Sequence, residues 1–220
     1  MSSDNDLPDV LRQRPLPVDL EKKIENPGQP RVSKANIPSR TVLQQHVDFF
    51  DKNGDGKITP YGTYLGFREL GFNLLFTLLA VVIIHGGLAY PTQDSYIPSP
   101  FFIIYTKNIH KAKHGSDQEV YDTEGRFVPQ KFEEMFSKYD VNKRSALDFW
   151  EMTNMLKGAR NAGDPFGWFA AFFEWGALYL LTQTGGLINK EHIRQMYDGT
   201  LFYNIARQRR EELSPSKEKY

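Results

Sequence analysis

The first stretch with a readable pattern of apolar and polar positions begins near residue 39. Ser39 is placed to cap a helix in which Val42, Leu43, His46, Val47 and Phe50 fall on one face. That helix gives way to DKNGDGKITPYG, Asp51 to Gly62, after which PYGTYLGFRELG reads as an exiting helix weakened by glycines. The pattern then changes in kind. FNLLFTLLAVVIIHGGLA, Phe72 to Ala89, is apolar on all sides apart from Asn73, Thr77 and His85. It falls just short of the roughly 20 apolar residues that cross a bilayer. In the following YPTQDSYIPSPFFIIY, Pro91, Pro98 and Pro100 forbid a regular helix and leave backbone groups that hydrocarbon would not tolerate. A helix that dips into an oily surface and turns at a proline-rich bend fits this pattern better than a conventional span. A buried core helix followed by a loop is the plainer alternative.

Beyond Tyr105 the chain turns polar, with Lys107, His110, Lys111, Lys113 and His114 close to the apolar segment, where cations would favour an anionic leaflet surface. Residues 128 to 212 read as mostly helical. In VPQKFEEMFSKY the side chains of Val128, Phe132, Met135, Phe136 and Tyr139 make a helical stripe. A second apolar stretch, Gly167 to Gly186, is broken by Glu174 and reads as a buried amphiphilic helix rather than a second span. The pattern thus predicts a mainly α chain in five parts. A tail over 1–38 precedes a helix-loop-helix unit over 39–70 and an apolar, surface-dipping segment with its bend over 71–105. A C-terminal helical domain over 106–213 and a tail over 214–220 follow.

Composition sharpens this picture in three places. Six of the 13 prolines, Pro8, Pro15, Pro17, Pro27, Pro30 and Pro38, lie in the first 38 residues among charges, which predicts a flexible tail. That tail has no apolar core, which argues against a cleaved secretory signal. Basic and acidic residues balance at 27 each, so no global field draws the chain to nucleic acid, and none is expected as a partner. The lack of cysteine excludes a disulfide framework, thiolate zinc sites and a cysteine nucleophile. The 220 residues suffice for one domain or two small ones.

The candidate chemistry lies in two loops and a few histidines. An EF-hand calcium loop places oxygens at positions 1, 3 and 5, a backbone carbonyl at 7, a side chain at 9, and a bidentate glutamate at 12, with a glycine turn at 6. Asp51, Asn53, Asp55, Lys57 through its carbonyl, and Thr59 supply the first five, and Gly56 and the apolar Ile58 at position 8 also fit. Gly62 stands where the closing glutamate belongs, so weak Ca²⁺ binding is expected. DVNKRSALDFWE, Asp140 to Glu151, is a degenerate second loop with Leu147 at position 8 and Glu151 at the close, but Arg144 at position 5 and Ser145 at the turn. The two loops are expected to pair through Ile58 and Leu147. His46 lies on the apolar face of the incoming helix, where a satisfied core histidine is the default. His110 and His114, four apart, would project from one side of a helix and could bind a metal or haem iron, or decorate a basic surface.

HVDFFDKNGDGKITP, the apolar segment, YIPSPFFIIYTKNIHKAKHGSDQEVYDTEGRF, FSKYD, FGWFAAFFEWGALYLL and MYDGTLF occur in order, and together they make the chain resemble a caleosin, the peroxygenase family of lipid droplets, from about Arg40 to Arg207. The resemblance implies a haem b enzyme that moves one oxygen from a fatty acid hydroperoxide to an unsaturated fatty acid or a small heteroatom substrate. It further implies a lipid-droplet and endoplasmic-reticulum surface location with the bulk of the chain facing the cytosol, and it is compatible with a homo-oligomer. Of the two histidines implicated in that family, one matches His46. The other matches within NIHKAKHGSD, with His110 the first choice and His114 the second. The family's proline knot is only partly present: Pro98, Ser99 and Pro100 match, Pro91 lies further upstream than the pattern asks, and Ile103 replaces the last proline. With His46 as ligand, a histidine from NIHKAKHGSD could shuttle the peroxide proton; alternatively both could ligate. The competing class is a non-catalytic, calcium-modulated droplet coat or tether with structural histidines.

Overall fold

The computed structural model describes residues 40–213; the tails expected over 1–38 and 214–220, and the cap expected at Ser39, lie outside the described residues. The chain is mainly helical. It runs α1 (Val42–Asp48), β1 (Lys57–Ile58), α2 (Pro60–Glu69), α3 (Leu74–Thr92), β2 (Ile104–Tyr105), a 3₁₀ helix (Thr106–Ala112), α4 (Pro129–Tyr139), β3 (Ala146–Asp148), α5 (Phe149–Gly158), α6 (Pro165–Thr182), β4 (Leu187–Asn189), α7 (Lys190–Tyr197) and α8 (Thr200–Leu213). The N-cap of α1 is Thr41, which makes a capping box with Gln44: Thr41 Oγ1 accepts from Gln44 N at 3.3 Å and Gln44 Oε1 accepts from Thr41 N at 3.0 Å. Thr59 caps α2 with Pro60 in its first turn, and Asn73 caps α3.

The strand pairing corrects one expectation. Ile58 does not meet Leu147. Instead β1 pairs antiparallel with β2, Ile58 opposite Ile104, and β3 pairs antiparallel with β4, Leu147 opposite Ile188. Each recognisable loop therefore takes as its mate a helix–strand–helix unit without an acidic loop. In the first lobe α1–β1–α2 pairs with α3–β2–3₁₀, and in the second α4–β3–α5 pairs with α6–β4–α7. The four paired apolar side chains are all buried, and each pair lies at the centre of its lobe's core. The apolar helix α3 is thus an integral arm of the first lobe and not an insertion between two lobes.

α3 is patterned inside out. Its inward residues are small or polar, with Ala80 and Thr77 at 0% exposure and His85 at 3%, while Leu75 is 80% and Val82 69% exposed. The proline bend beyond it is tied back to the lobe. His85 hydrogen-bonds the Phe102 carbonyl through Nδ1 at 2.6 Å and the Thr63 hydroxyl through Nε2 at 2.8 Å, and Tyr105 N donates to Thr92 Oγ1 at 3.1 Å. On α6, Trp175 and Leu178 are buried, while Phe166, Phe169, Phe172 and Leu180 are exposed. The two apolar helices touch where Phe76 stacks on Phe173, ring centroids 5.3 Å apart.

The C-terminal helix α8 joins the lobes. Phe202 packs against Phe49 and Phe50 at centroid distances of 5.7 and 5.4 Å, closing a third cluster with Leu70 and Ala206. The turn into α8 approaches α1 so closely that a Cβ on Gly199 would stand 2.6 Å from the Gln45 carbonyl and 2.8 Å from the His46 Cα; its φ of +78° also favours glycine.

Candidate functional site

Between the lobes lies a cavity of about 280 Å³. α1 contributes His46 and Val47, and the turn after it Phe50; α2, Thr63 and Phe67; α3, Ile84 and Leu88; the segment after the 3₁₀ helix, His114, Asp117, Gln118 and Tyr121; and α6 and α7, Glu174, Trp175, Met196 and Tyr197. Most of the wall is apolar. Its polar groups gather where the 113–121 segment faces α6 and α7.

His46 is a fixed, neutral imidazole. Its Nδ1 lies 2.6 Å from the Met196 carbonyl oxygen, which can only accept, so Nδ1 carries the proton and Nε2 the lone pair. Nε2 makes no hydrogen bond among the described residues. Burial pushes the His46 pKa down, against the opposing pull of the Met196 carbonyl and of Glu174 and Asp198. The Phe202 ring meets the imidazole edge-on at 5.2 Å. The sequence motif MYDGT builds this arrangement. Asp198 Oδ1 accepts from Thr200 N at 3.0 Å and starts α8, and Gly199 lets the turn lie against α1, with the Met196 carbonyl on the ring. The motif is visible in the sequence, but its role is not, because a backbone carbonyl has no residue signature.

His114 lines the same cavity and His110 does not. The shared face expected of them requires an α-helix through both. The chain is instead 3₁₀, with a different repeat, and leaves that helix at Ala112. His114 is held loosely: Nδ1 accepts from Ser116 N at 3.2 Å and stands 3.9 Å from Asp164 Oδ2, while Nε2 stands 3.8 Å from Glu174 Oε2. Burial works against its charged form. Glu174, Asp117 and Asp164 outweigh that, and its pKa is raised. The two cavity histidines are therefore pushed in opposite directions.

The first acidic loop is closed on itself. Asp51 accepts backbone N–H bonds from Gly54 (2.9 Å), Asp55 (3.3 Å) and Gly56 (2.8 Å). Burial still holds its carboxyl above the usual range. Asp55 is taken by Lys57 N at 2.9 Å and Asn53 Nδ2 at 3.1 Å, and Thr59 Oγ1 caps α2 by accepting from Gly62 N at 2.9 Å. Among the described residues no cluster of three or more histidine or acidic side chains could hold a metal; this loop brings only two carboxylates together. At Gly62 more than a ligand is missing, since an added Cβ would come within 2.7 Å of the Phe50 carbonyl. In the second loop Arg144 lies where a cation would: its guanidinium meets Asp148 at 2.8 Å and the buried Glu151 at 2.6 Å. Arg144 N and Ser145 N in turn donate to the Asp140 carboxylate at 2.9 and 2.7 Å.

The sequence is similar to those of known proteins. The family model described as caleosin related protein matches residues 38–206. The chain is 48% identical over 170 residues to a peroxygenase of Lilium longiflorum, covering 77% of this chain and 71% of that one. It is 44% identical over 173 residues to probable peroxygenase 4 of Arabidopsis thaliana, covering 78% and 89%. A probable inactive peroxygenase-like protein of Arabidopsis thaliana is 34% identical over 152 residues, covering 69% and 73%. No solved structure matches.

The Gly62 contact makes a specific prediction. Restoring the loop formula with Gly62→Glu will lower the thermal unfolding midpoint and will not tighten Ca²⁺ binding measured by calorimetry. A variant that gains affinity at unchanged stability contradicts the steric argument.

Proposed function

The chain belongs to the caleosin family, and from that premise we propose that it is a haem-dependent peroxygenase acting at an oily surface. In this reading it moves one oxygen from a fatty acid hydroperoxide to an unsaturated fatty acid or similar acceptor at a lipid droplet or the endoplasmic reticulum. The observation that carries the proposal is His46, whose Nδ1 is committed to a backbone carbonyl and whose Nε2 lone pair is free at the wall of an apolar cavity. This is the donor chemistry a haem iron requires of a histidine ligand, because the bond at the other nitrogen fixes the tautomer and raises ligand basicity. As it stands the cavity, at about 280 Å³, falls just below the ~300–1,000 Å³ of ligand pockets. The fit rests on donors and not on volume.

A haem bound there supplies the redox-active iron that accepts the oxygen donor. The chain's own groups do the rest. His46 would hold the group through its free Nε2. His114 is placed to handle the peroxide proton: in its neutral ring Nδ1 holds the lone pair, met by Ser116 N at 3.2 Å, and Nε2–H lies toward Glu174, so Nδ1 would take the proton from the hydroperoxide in exchange for that backbone contact and return it to the departing alcohol oxygen. Paired sites with pKa values pushed apart mark such a division of labour. His110 takes no part in this reading, which selects His114 as the partner of His46. The apolar walls on Phe67, Ile84 and Leu88 exclude water and accommodate an acyl chain.

Ca²⁺ is assigned at most a weak role at Asp51, Asn53, Asp55, Lys57 and Thr59, since backbone N–H groups and the α2 cap already occupy the acceptors of Asp51, Asp55 and Thr59. The oily surface is supported by the outward leucines of α3, together with Tyr96, Ile97, Phe101 and Phe102 of the bend and Phe166, Phe169 and Phe172 of α6. By length and composition α3 could cross a membrane. Its far end, however, is tied to the first lobe through His85, Phe102 and the β1–β2 pair, so in this reading the helix lies along the surface. Of the neighbouring lysines, Lys107 pairs with Asp94 and Lys113 with Asp117, leaving Lys111 the best placed for an anionic headgroup.

Three measurements test this reading. Detergent-purified protein will show a Soret band and hydroperoxide-dependent epoxidation, and His46→Val will lose both; haem-free protein from haem-replete cells would instead support a non-catalytic coat. Both roles open to His114 need the unprotonated ring, so activity should rise with pH through its raised pKa. Glu174→Gln removes a charge that raises that pKa and will move the rising limb to lower pH; an unmoved limb rejects the assignment. Replacing Leu75, Leu79 and Val82 together by serine will abolish co-flotation with phospholipid-coated oil droplets while leaving the circular dichroism spectrum unchanged, and retained flotation would contradict the surface assignment.

A further inference from the structure

Among the described residues that line the cavity, only Phe166 and Glu174 are exposed, so these two mark where the cavity meets the outside. Glu174 stands by His114, in company with Asp117 and Lys113, which pair with each other at 3.3 Å. Phe166 is apolar and lies in the seam between α3 and α6. A Cβ on Gly87 would stand 2.5 Å from its Cζ, so the tip of the ring rests on the α3 backbone. A second contact across the seam is the Phe76–Phe173 stack, and the two together set α3 and α6 antiparallel. Phe76 and Gly87 are about 16 Å apart along α3. In the span between these contacts Ile83, Ile84 and Ala170 line the cavity, while Leu79, Val82 and Phe169 are exposed on the outer side. The seam is therefore apolar from the outer surface to the cavity.

We infer that Phe166 is a specificity residue: the acyl chain enters through the seam between α3 and α6 and displaces the Phe166 ring from Gly87 as it does so. Phe166 belongs to none of the three core clusters, so its ring can turn without unpacking a core. A helix interior ordinarily avoids glycine; at residue 87 the missing Cβ is what gives the ring its seat. A path beside Glu174 would carry hydrocarbon past the charged groups of Glu174, Asp117 and Lys113 and displace their water. A carboxylate is equally costly to carry through an apolar seam, so the chain enters methyl end first and its carboxyl end trails at the surface. The bulk of the ring thereby limits which chains pass. This assignment rests on the acyl-binding cavity proposed above.

The test follows arrival of 9,10-dibromostearic acid, whose bromines quench indole fluorescence at short range, by stopped flow on the full-length, detergent-purified protein. Trp150→Phe and Trp168→Phe together leave Trp175, buried in the cavity wall, as the remaining indole. The chain has no cysteine, so Gly87→Cys with Phe166→Cys in that background supplies two thiols for a short, reducible bis-methanethiosulfonate linker. Bridging them will slow quenching about tenfold, equivalent to about 1.4 kcal/mol of added barrier, and reducing the linker will restore the rate in the same sample. Phe166→Ala removes the ring and will speed quenching several-fold, so the result does not depend on the double variant folding. A rate unmoved by the bridge, or by Phe166→Ala, places entry beside Glu174 and overturns the role of Phe166 while the cavity reading stands. No quenching of Trp175 in the unbridged protein overturns the cavity reading and the seam assignment with it.

Discussion

The site depends on one hydrogen bond, from His46 Nδ1 to the Met196 carbonyl. It spans the two lobes, since His46 is on α1 and Met196 on α7. It also decides which imidazole nitrogen faces the cavity with a lone pair. The bond exists only because the α7–α8 turn lies against the α1 backbone, and that approach is possible because residue 199 has no Cβ. Phe202 then fills the space beside the ring and anchors α8 to Phe49 and Phe50. Fold and chemistry are thus coupled through the same contact: whatever separates the lobes also releases the tautomer.

The two acidic loops illustrate a related economy. A calcium loop must neutralise converging carboxylates, usually with the ion. In both loops protein groups also meet these carboxylates. In the first, three backbone N–H groups converge on Asp51; in the second, the Arg144 guanidinium joins Asp148 and Glu151 while backbone N–H groups cover Asp140. What survives in both is the apolar position-8 residue, because Ile58 and Leu147 each hold a strand pair together at a lobe centre. Through these residues both loops are tied into core packing.

This explains what could and could not be read from the sequence. Helix periodicity, the acidic loops and the substitutions at Gly62 and Arg144 were legible because each rests on local spacing. The lobe pairing was not, because Ile104 and Ile188 sit in segments with no acidic signature, and the only visible mate for Ile58 was Leu147. His46 was legible as a candidate from its helix face and family motif. His114 could not be chosen over His110 because the choice depends on where a 3₁₀ helix ends, and backbone conformation at that scale is weakly encoded. Met196 was invisible for the reason that its contribution is a carbonyl.

The inverted patterning of α3 connects these parts. A helix in water hides its leucines and shows its threonines; this one buries Thr77, His85 and Thr92 and shows Leu75, Leu79 and Val82. Burying a hydroxyl or an imidazole is tolerable only where each finds a partner. Thr77 and Thr92 bond carbonyls one turn back on their own helix, and His85 bridges Thr63 of α2 and the Phe102 carbonyl of the bend. The polar face of α3 therefore fixes the helix and its bend to the first lobe with directional bonds, which leaves the apolar face free to meet a non-aqueous phase. Ile84 and Leu88 lie between these two faces and line the cavity, so the same helix that exposes leucines on one side walls the His46 site on the other. Under the surface assignment proposed above, an acyl chain entering across α3 travels only the width of one helix to reach the imidazole.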